Sequence, residues 1–381
     1  MRALHVITGL GIGGAEQQLR LLLRHLPARC DVVTLTNPGA VARGLREDGV
    51  HVRDLGMRSN RDLGAVPRLA GLIRRGGYDL VHTHLYRACV YGRIAARLAG
   101  TTVVSTEHSL GDAEIEGRPL TRGTRELYLR TERLGAATVA VSDTVAGRLR
   151  AWGVPAARIH TVPNGIDVAA FRFDPERRRT TRHLLGLPEA AFVVGGVGRL
   201  VPGKRFDLLV RAVAALPGAW LVVAGAGPED ASLRALAARL GAAARVRFLG
   251  ECGTTDAVPG VPDVLSAADV FVSASREESF GLACVEALAA GLPVVYAACP
   301  AVEDLPAGSR GAGTTRIGAA PGDPEELRAV LRRHMDRGTP RLPPPAAVDH
   351  YDIRLSSRRL MSVYAQATGL TTVPQTERAH P

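Results

Sequence analysis

The chain has 381 residues, of which 46% are hydrophobic and 22% are charged. This composition is typical of a globular, soluble protein, and the length favours two domains over a single core. Apolar runs such as residues 219–226 are much shorter than the roughly 20 residues that a membrane span requires. The net charge of +11 is compatible with nucleic acid, an anionic membrane or a phosphorylated substrate. An aromatic content of 4% and the lack of a recognisable nucleic-acid-binding module argue against nucleic acid as a partner.

The predicted elements begin at the N-terminus. The segment Met1–Gly9 reads as a first strand that continues into a glycine loop, which predicts that no signal peptide is present. Five cysteines are scattered along the chain without a C-x-x-C pair. This pattern predicts a reduced, cytoplasmic protein and argues against a disulfide framework or a zinc site.

Strand patterns alternate with helix patterns along the chain, which predicts parallel sheets with helices on both faces. The predicted strands of the first half are Leu4–Thr8, Asp31–Thr36, Val50–Asp54, Leu80–His82, Thr102–Thr106 and Ala137–Val141. Those of the second half are Phe192–Val197, Trp220–Ala224, Arg245–Leu249, Val270–Ser273 and Pro293–Tyr296. Predicted helices between them include Ala15–His25, Val66–Arg74, Cys89–Ala99, Arg122–Leu134, Asp207–Ala215, Ala231–Leu240 and Leu282–Ala290.

A boundary between the halves is predicted at the Pro163-Asn164-Gly165 turn. It gives an N-terminal domain over residues 1–166, to which residues 350–368 return, and a C-terminal domain over residues 167–349. A Pro-rich connector lies before a last helical pattern at residues 356–366. The segment 369–381 is predicted to be a flexible tail.

The glycine loop Gly11–Gly14 follows the first strand and precedes a helix. Glycines there let the backbone approach a ligand, and the helix N-terminus favours negative charge. A nicotinamide site would also need an acid at the end of the second strand. That strand ends instead in Thr34–Asn37, so this alternative is weak.

Two cations, Arg199 and Lys204, lie in a glycine-punctuated loop after a predicted strand of the second half. A loop at the carboxyl end of a parallel strand is a common ligand site, and two cations there suit a diphosphate. The alternative is a solvated basic loop in an arginine-rich chain. No Asp-x-Asp pattern occurs, which predicts that no divalent metal is used.

Two glutamates, Glu278 and Glu286, flank the start of another predicted helix. Glu278 lies just before this helix, and Glu286 is predicted about two turns inside it. The backbone N–H groups of residues 280–282 would meet an anion at the helix start. Two acids beside such a start suggest a phosphorylated ligand that carries hydroxyls, although an ordinary helix start with one solvated glutamate remains an alternative.

Histidines follow two strands of the first half. His82 and His84 could be a metal-ligand pair, but the sequence shows no nearby third ligand, which favours a structural or acceptor-side role. His108 and its neighbour Glu107 follow the next predicted strand. A histidine there is compatible with packing, acid–base chemistry or hydroxyl binding.

These landmarks recur in one order in a known family, and they cover nearly the whole chain. The sequence resembles the retaining glycosyltransferases of family 4, which have the α/β GT-B fold with two Rossmann-like domains facing a cleft. The resemblance rests on Gly11-Ile12-Gly13-Gly14-Ala15-Glu16, Val141-Ser142-Asp143, Val162-Pro163-Asn164-Gly165-Ile166-Asp167, Gly198-Arg199-Leu200 with Lys204, Gly225-Ala226-Gly227-Pro228 and Gly291-Leu292-Pro293-Val294-Val295.

The resemblance implies a role for each candidate residue. Arg199 and Lys204 would neutralise the leaving nucleoside diphosphate, and Gly14 would face the donor diphosphate. Glu278 and His108 would contact the transferred sugar, and Glu286 would hold the ribose hydroxyls. The backbone of the segment Phe280-Gly281-Leu282 would meet sugar and phosphate oxygens.

The implied reaction moves a hexose or N-acetylhexosamine from a nucleoside-diphosphate sugar, expected to be a UDP-sugar, to an alcohol. It would be a retaining, metal-independent front-face displacement that needs no cofactor. One departure affects the donor-sugar loop, where Ala297–Glu303 replaces a Gly-Gly pair that commonly precedes a glutamate. Two alternatives remain, namely another enzyme of this fold, such as a nucleotide-sugar 2-epimerase, and a non-catalytic binding module.

The acceptor is the least predictable part. It is either a lipid-linked glycan intermediate or a soluble natural-product core such as an aminocyclitol. The segment Arg118–Arg133 is predicted to be a basic helix that either contacts an anionic membrane peripherally or is an ordinary exposed face.

Overall fold

The computed structural model of the chain describes residues 1–59, 61–111, 114–115, 118–252, 258–306, 310, 313–318 and 324–370. The chain divides into two compact units. The first contains Met1–Gly165 together with the segment that begins at Ile353, and the second is Ile166–Asp352. The chain therefore leaves the N-terminal unit once and returns to it.

The N-terminal unit contains alternating strands and helices. Its strands are β1 (Arg2–Ile7), β2 (Arg29–Thr34), β3 (His51–Asp54), β4 (Leu80–His84), β5 (Thr102–Glu107), β6 (Glu114–Ile115), β7 (Arg118–Pro119), β8 (Ala137–Ala140) and β9 (Ile159–Thr161). Its helices before the boundary are α1 (Gly14–His25), α2 (Val41–Glu47), α3 (Ala65–Gly76), α4 (Tyr86–Ala99), α5 (Arg122–Glu132) and α6 (Asp143–Trp152). Seven of these strands form one parallel sheet in the order β3-β2-β1-β4-β5-β8-β9.

Apolar side chains cover both faces of this sheet. Helix α1 buries Leu19, Leu22 and Leu23 in one cluster, and helices α3 and α4 contribute to a second cluster with residues such as Leu69 and Ala95. Strand β4 is buried along its whole length. Parallel strands that are covered by helices on both faces are apolar throughout, so the polar His82 and His84 in β4 are exceptional.

The C-terminal unit repeats the alternation. Its strands are β10 (Phe192–Val197), β11 (Ala219–Ala224), β12 (Val246–Phe248), β13 (Val270–Ser273), β14 (Val294–Tyr296) and β15 (Thr314–Arg316). Its helices are α7 (Pro175–Leu184), α8 (Phe206–Ala214), α9 (Asp230–Arg239), α10 (Val261–Ala267), α11 (Leu282–Ala289), α12 (Pro300–Glu303), α13 (Pro324–Arg337) and α14 (Ala346–His350). The strands form a second parallel sheet in the order β12-β11-β10-β13-β14-β15.

Two glycine-rich turns hold the carboxyl end of β10 close to that of β11. The Gly198 N–H donates to Ala224 O, and the Leu200 N–H donates to Ala226 O, each over 2.9 Å. A Cβ at Gly225 would lie 1.9 Å from Gly198 O, so no larger residue fits at this position. The two turns therefore form one compact edge of the sheet.

The last helix, α15 (Ile353–Thr368), belongs to the N-terminal unit. It packs against α1, where the Ser357 hydroxyl donates to His25 O over 2.9 Å. A Cβ at Gly165 would lie 2.5 Å from the Ile353 Cα, so the returning chain passes directly over this glycine.

The predicted α/β architecture with two Rossmann-like sheets is confirmed, and each predicted strand differs from the observed one by at most two residues at either end. The short edge strands β9 and β15 were not predicted. The prediction of a helix over Arg118–Arg133 is wrong at its start. Arg118 lies in β7, and α5 begins at Arg122 because the extended Thr121 caps it by accepting from the Thr124 N–H. The predicted tail beyond residue 370 lies outside the described residues.

Candidate active site

Lys204 and Glu278 come together at the carboxyl edge of the second sheet. Lys204 ends a short 3₁₀ turn after β10, and Glu278 follows β13, which pairs directly with β10. The Arg276 N–H donates to Gly203 O over 3.0 Å, which fixes one loop to the other. Lys204 Nζ forms an ion pair with Glu278 Oε1. The pair is mostly shielded, with side-chain exposures of 28% and 15%, so its attraction is screened less than that of a surface pair.

Arg199 lies five positions before Lys204 on the same loop but is exposed. Among the described residues, its guanidinium has no hydrogen-bond or salt-bridge partner. A cation without a protein partner at the ligand edge of a sheet is available to a bound anion. The structure thus joins Lys204 to Glu278 and leaves Arg199 beside them on the loop.

Helix α11 begins at Leu282, and Gly281 is its N-cap with a left-handed φ of 97°. A Cβ at Gly281 would lie 2.6 Å from Cys299 Sγ, so both the backbone angle and the space require glycine. Phe280 is buried, and its ring packs edge-on against Tyr351 with centroids 5.0 Å apart. These contacts hold the N-terminus of α11, with its partial positive charge, at the same edge as Lys204.

Glu286 lies only about one turn inside α11, because the helix begins at Leu282, four residues before it, so the prediction of two turns is wrong. Its side chain is partly buried, on a helix whose other residues are apolar. This desolvation raises the pKa of its carboxyl to about 7. Glu286 therefore titrates near neutral pH, as binding-site acids often do.

The departure from the family pattern after β14 has a structural consequence. Cys299 packs under Gly281, and Pro300–Glu303 forms the short helix α12. Glu303 Oε1 lies 3.0 Å from Arg316 Nε, so the acid of this segment is paired with a neighbouring strand. Arg316 therefore helps to fix the position of the Glu303 carboxylate.

In the N-terminal unit, Gly14 is the first residue of α1 and is exposed. The preceding Gly13 is its N-cap, and a Cβ there would lie 2.4 Å from Glu16 Oε2. Glycine at Gly13 thus lets the Glu16 carboxylate lie close to the start of the helix. The loop from Gly9 to Gly14 leaves the backbone of the α1 N-terminus accessible.

His108 follows β5. Its Nε2 lies 3.1 Å from the Nδ1 of a second histidine, His84. Burial lowers the pKa of His108 to about 4. Its neighbour Glu107 is buried as part of β5. His108 is therefore neutral near pH 7 and hydrogen-bonds through an uncharged ring.

His82 and His84 do have a nearby third histidine, contrary to the sequence-based expectation. His5 lies opposite His82 in the register of β1 and β4, and the three rings could in principle hold a metal ion. However, His82 already bonds Tyr364 over 2.6 Å and Thr106 over 2.7 Å. His5 Nδ1 and His84 Nε2 bond each other over 3.0 Å, and His84 Nδ1 bonds His108, so His5 Nε2 is the one ring nitrogen of these three residues without a partner among the described residues.

Helix α5 offers less free positive charge than the sequence suggested. Arg125 donates to the carbonyls of Ala151 and Trp152, and Arg130 pairs with Glu126 over 2.8 Å. Within the part of the chain that the structure describes, no helix combines the length and hydrophobicity needed to cross a bilayer.

The amino-acid composition also points to Lys204, independently of the loop motif. It is the only lysine among the 48 residues that are lysine or arginine. A chain that uses arginine at every other basic position retains the compact ammonium group here, at the ion pair with Glu278. Counting lysines separately from arginines would have singled out this residue.

Comparisons with known proteins identify the family of this chain. A family model described as Glycosyltransferase Family 4 matches residues 12–170, and one described as Glycosyl transferases group 1 matches residues 177–339. D-inositol 3-phosphate glycosyltransferase 1 of Catenulispora acidiphila is 35% identical over an alignment of 316 residues, and the match covers 76% of this chain and 73% of that protein. D-inositol 3-phosphate glycosyltransferase of Mycobacterium bovis is 34% identical over an alignment of 279 residues, and the match covers 68% of this chain and only 56% of that protein.

Solved structures show the same architecture. HepE of Anabaena in complex with UDP-glucose has a TM-score of 0.81 and 25% identity, covering 96% of this chain and 100% of that one. A second HepE structure, with UDP and glucose, has a TM-score of 0.82 at 24% identity, covers 96% and 99%, and supports the fold alone. The two parallel Rossmann-like units, together with these matches, identify a GT-B glycosyltransferase. The chain belongs to glycosyltransferase family 4.

Proposed function

We propose that this protein transfers a hexose or N-acetylhexosamine from a UDP-sugar to a hydroxyl group of a soluble cyclitol acceptor. The ion pair between Lys204 and Glu278 at the N-terminus of α11 carries the proposal. It provides a cation for a diphosphate and an acid for sugar hydroxyls within one hydrogen-bonded unit. The similarity to HepE, which binds UDP-glucose, supports a UDP-sugar as the donor.

The cyclitol acceptor is proposed because relatives of this chain are named for D-inositol 3-phosphate. The lipid-linked alternative is weaker, since Arg125 and Arg130 of α5 already bind protein groups. The proposed location is the cytoplasm, in keeping with cysteines that form no disulfide among the described residues.

The proposed reaction is a retaining, front-face displacement without a metal ion. The bond between the sugar C1 and the diphosphate oxygen breaks, and the acceptor oxygen bonds C1 from the same face. The acceptor proton passes to the leaving diphosphate oxygen. Lys204, Arg199 and the backbone N–H groups at the start of α11 would stabilise the charge that develops on the diphosphate.

A matrix of donors and acceptors tests this proposal. UDP-glucose, UDP-galactose and UDP-N-acetylglucosamine are each incubated with D-inositol 3-phosphate, an aminocyclitol or a lipid-linked acceptor, with Mg²⁺ or with EDTA. We expect a glycosylated cyclitol by mass spectrometry, an α-linkage by NMR, and equal rates with EDTA. UDP release that needs no acceptor would instead indicate an epimerase, and binding without turnover would indicate a binding module.

Glu286 gives the proposal a pH signature. If the Glu286 carboxylate accepts hydrogen bonds from the ribose hydroxyls, binding requires that this carboxyl group is ionised. The pKa of the Glu286 carboxyl in the free protein is about 7. We expect the affinity for a UDP-sugar to rise about tenfold between pH 6 and pH 8, measured by calorimetry. A UDP-sugar is used because its diphosphate, esterified at both ends, does not titrate in this range.

The Glu286→Gln variant is the matched control, because the amide fills the same space and cannot ionise. Its affinity should be lower than that of the wild type at pH 8 and independent of pH. A wild-type affinity that stays constant from pH 6 to pH 8 would exclude Glu286 from the ribose-binding role.

A further inference from the structure

Three histidine rings form a hydrogen-bonded chain that starts inside the N-terminal sheet and ends at His108. His5 Nδ1 lies 3.0 Å from His84 Nε2, and His84 Nδ1 lies 3.1 Å from His108 Nε2. The two outer nitrogens, His5 Nε2 and His108 Nδ1, are buried and have no hydrogen-bond partner among the described residues. The inner nitrogens therefore each have one partner, and the two ends have none.

The rings are neutral near pH 7, because burial lowers the pKa of His5 to about 3, that of His108 to about 4, and that of His84 well below its usual value. A neutral imidazole carries one N–H group and one bare nitrogen. Three rings supply three N–H groups, and two of these fill the two bonds between the rings. The remaining N–H must lie at one end of the chain, either on His5 Nε2 or on His108 Nδ1.

The surroundings of the two ends decide between these arrangements. His108 lines a cavity of about 30 Å³ together with Thr106, Asn164 and Ser356. A space of this size accommodates one water molecule or one ligand oxygen. His5 is fully buried in the middle of β1 and does not line this cavity, so an N–H on its Nε2 would be an orphaned donor. Orphaned buried N–H groups are rare and costly, which places the N–H on His108.

We propose that the chain of His5, His84 and His108 fixes His108 in the tautomer with its proton on Nδ1, so that His108 donates a hydrogen bond to an oxygen of the transferred sugar. The direction of the chain is then His5 Nδ1–H to His84 Nε2, and His84 Nδ1–H to His108 Nε2. The sugar contact rests on the proposed function, whereas the tautomer rests on the geometry of the free protein.

This arrangement has a chemical consequence for His108. Its Nε2 lone pair accepts from His84, and its Nδ1 already carries a proton, so neither nitrogen is available as a general base. His108 is a hydrogen-bond donor in substrate binding, and His84 and His5 are positioning residues that set which nitrogen carries the proton.

Long-range ¹H–¹⁵N correlation spectra of the full-length protein with ¹⁵N-labelled histidine measure the tautomer directly, without ligand or activity. We expect the His108 ring to carry its proton on Nδ1, the opposite of the preference of free histidine. Its assignment comes from the signals lost in His108→Gln. A ring protonated on Nε2, or on both nitrogens near pH 7, would overturn the proposal.

Substitutions of His84 show whether this residue acts on His108 through its N–H donor or only by filling space. In His84→Asn the amide can still donate near the Nδ1 position, whereas His84→Leu removes that donor. We expect the leucine variant to bind UDP-glucose about threefold to tenfold more weakly, the loss typical of one hydrogen bond, with unchanged affinity for UDP, which lacks the sugar. The asparagine variant should recover part of the affinity for UDP-glucose.

His82→Gln is the matched control, since His82 lies on the same strand, is equally buried, and bonds Tyr364 and Thr106 rather than the chain. It should leave the His108 tautomer unchanged. Equal losses for UDP and UDP-glucose in His84→Leu would refute the sugar contact. Wild-type protein that binds neither compound while showing the Nδ1 proton would refute the proposed function and leave the tautomer intact.

Discussion

Lys204→Ala is expected to lower turnover by about 100-fold to 1,000-fold, the range observed when one preorganised group that stabilises transition-state charge is removed. The reason is the position of its ammonium group, which is held against Glu278 at the N-terminus of α11. Glu278→Ala should lower turnover comparably, because it removes the proposed sugar contact and leaves Lys204 without its partner. Steady-state rates with UDP-glucose as donor measure both effects.

Lys204→Arg is the sharper variant because it retains the charge. The guanidinium is planar and larger, and it cannot occupy the place of an ammonium that is paired with Glu278 and whose aliphatic chain lies near Gly198. We expect a loss of at least about tenfold in turnover. Arg211→Ala, which removes an exposed cation from α8 of the same unit, should leave the rate unchanged.

Thermal unfolding of each variant must accompany the rates, because a folding defect would also lower turnover. Near-normal rates in both Lys204→Ala and Glu278→Ala would show that the site has been assigned wrongly. Since Lys204 is the only lysine, mild acylation offers an independent measurement. UDP-glucose should protect this single side chain from modification, as followed by mass spectrometry.

The sequence predicted the central strands of both sheets because these are buried on both faces and therefore apolar throughout. Strands β9 and β15 escaped prediction, since each has three residues, lies at a sheet edge and is partly exposed. The start of α11 at Leu282 was predicted, but Glu286 was placed about two turns inside the helix although it lies only four residues after that start.

The candidate site, too, could be predicted from the sequence only in part. Loop motifs predicted Lys204 and Glu278 separately, but their ion pair depends on the adjacency of β10 and β13, which are about 70 residues apart in sequence. The histidine chain was missed for a related reason. His5 lies far from His84 in sequence, and only the pairing of β1 with β4 brings their rings together.

The buried histidines are expected to make the N-terminal unit unusually sensitive to acid. Burial lowers the pKa values of His5, His82, His84 and His108 in the folded chain, whereas the unfolded chain takes up protons at about pH 6.5. Below that pH the unfolded state binds more protons, so the free energy of unfolding decreases as the pH falls. For His5, with a folded pKa of about 3, the loss at pH 4.5 is roughly 2.5 kcal/mol.

Several such losses are comparable to the whole stability of a typical domain, about 5–15 kcal/mol, so we expect this unit to unfold between pH 6 and pH 4. Each unit contains one tryptophan, Trp152 in the first and Trp220 in the second. Urea titrations of a Trp220→Phe variant, followed by Trp152 fluorescence from pH 7.5 to pH 4.5, therefore report on the N-terminal unit.

Replacement of a single buried histidine tests whether these residues cause the expected acid sensitivity of the N-terminal unit. In a His5→Asn background the dependence of the unfolding free energy on pH should weaken by about 1.4 kcal/mol per pH unit between pH 6 and pH 4.5, the value for one proton. His183→Gln, which replaces an exposed histidine of α7, should leave that dependence unchanged. If the unfolding free energy depends on pH equally with and without His5, acid acts on other groups.

Glu286 cannot cause a loss of stability in acid. Its raised pKa makes the C-terminal unit more stable, not less, as the pH falls from about 7 toward 4.5.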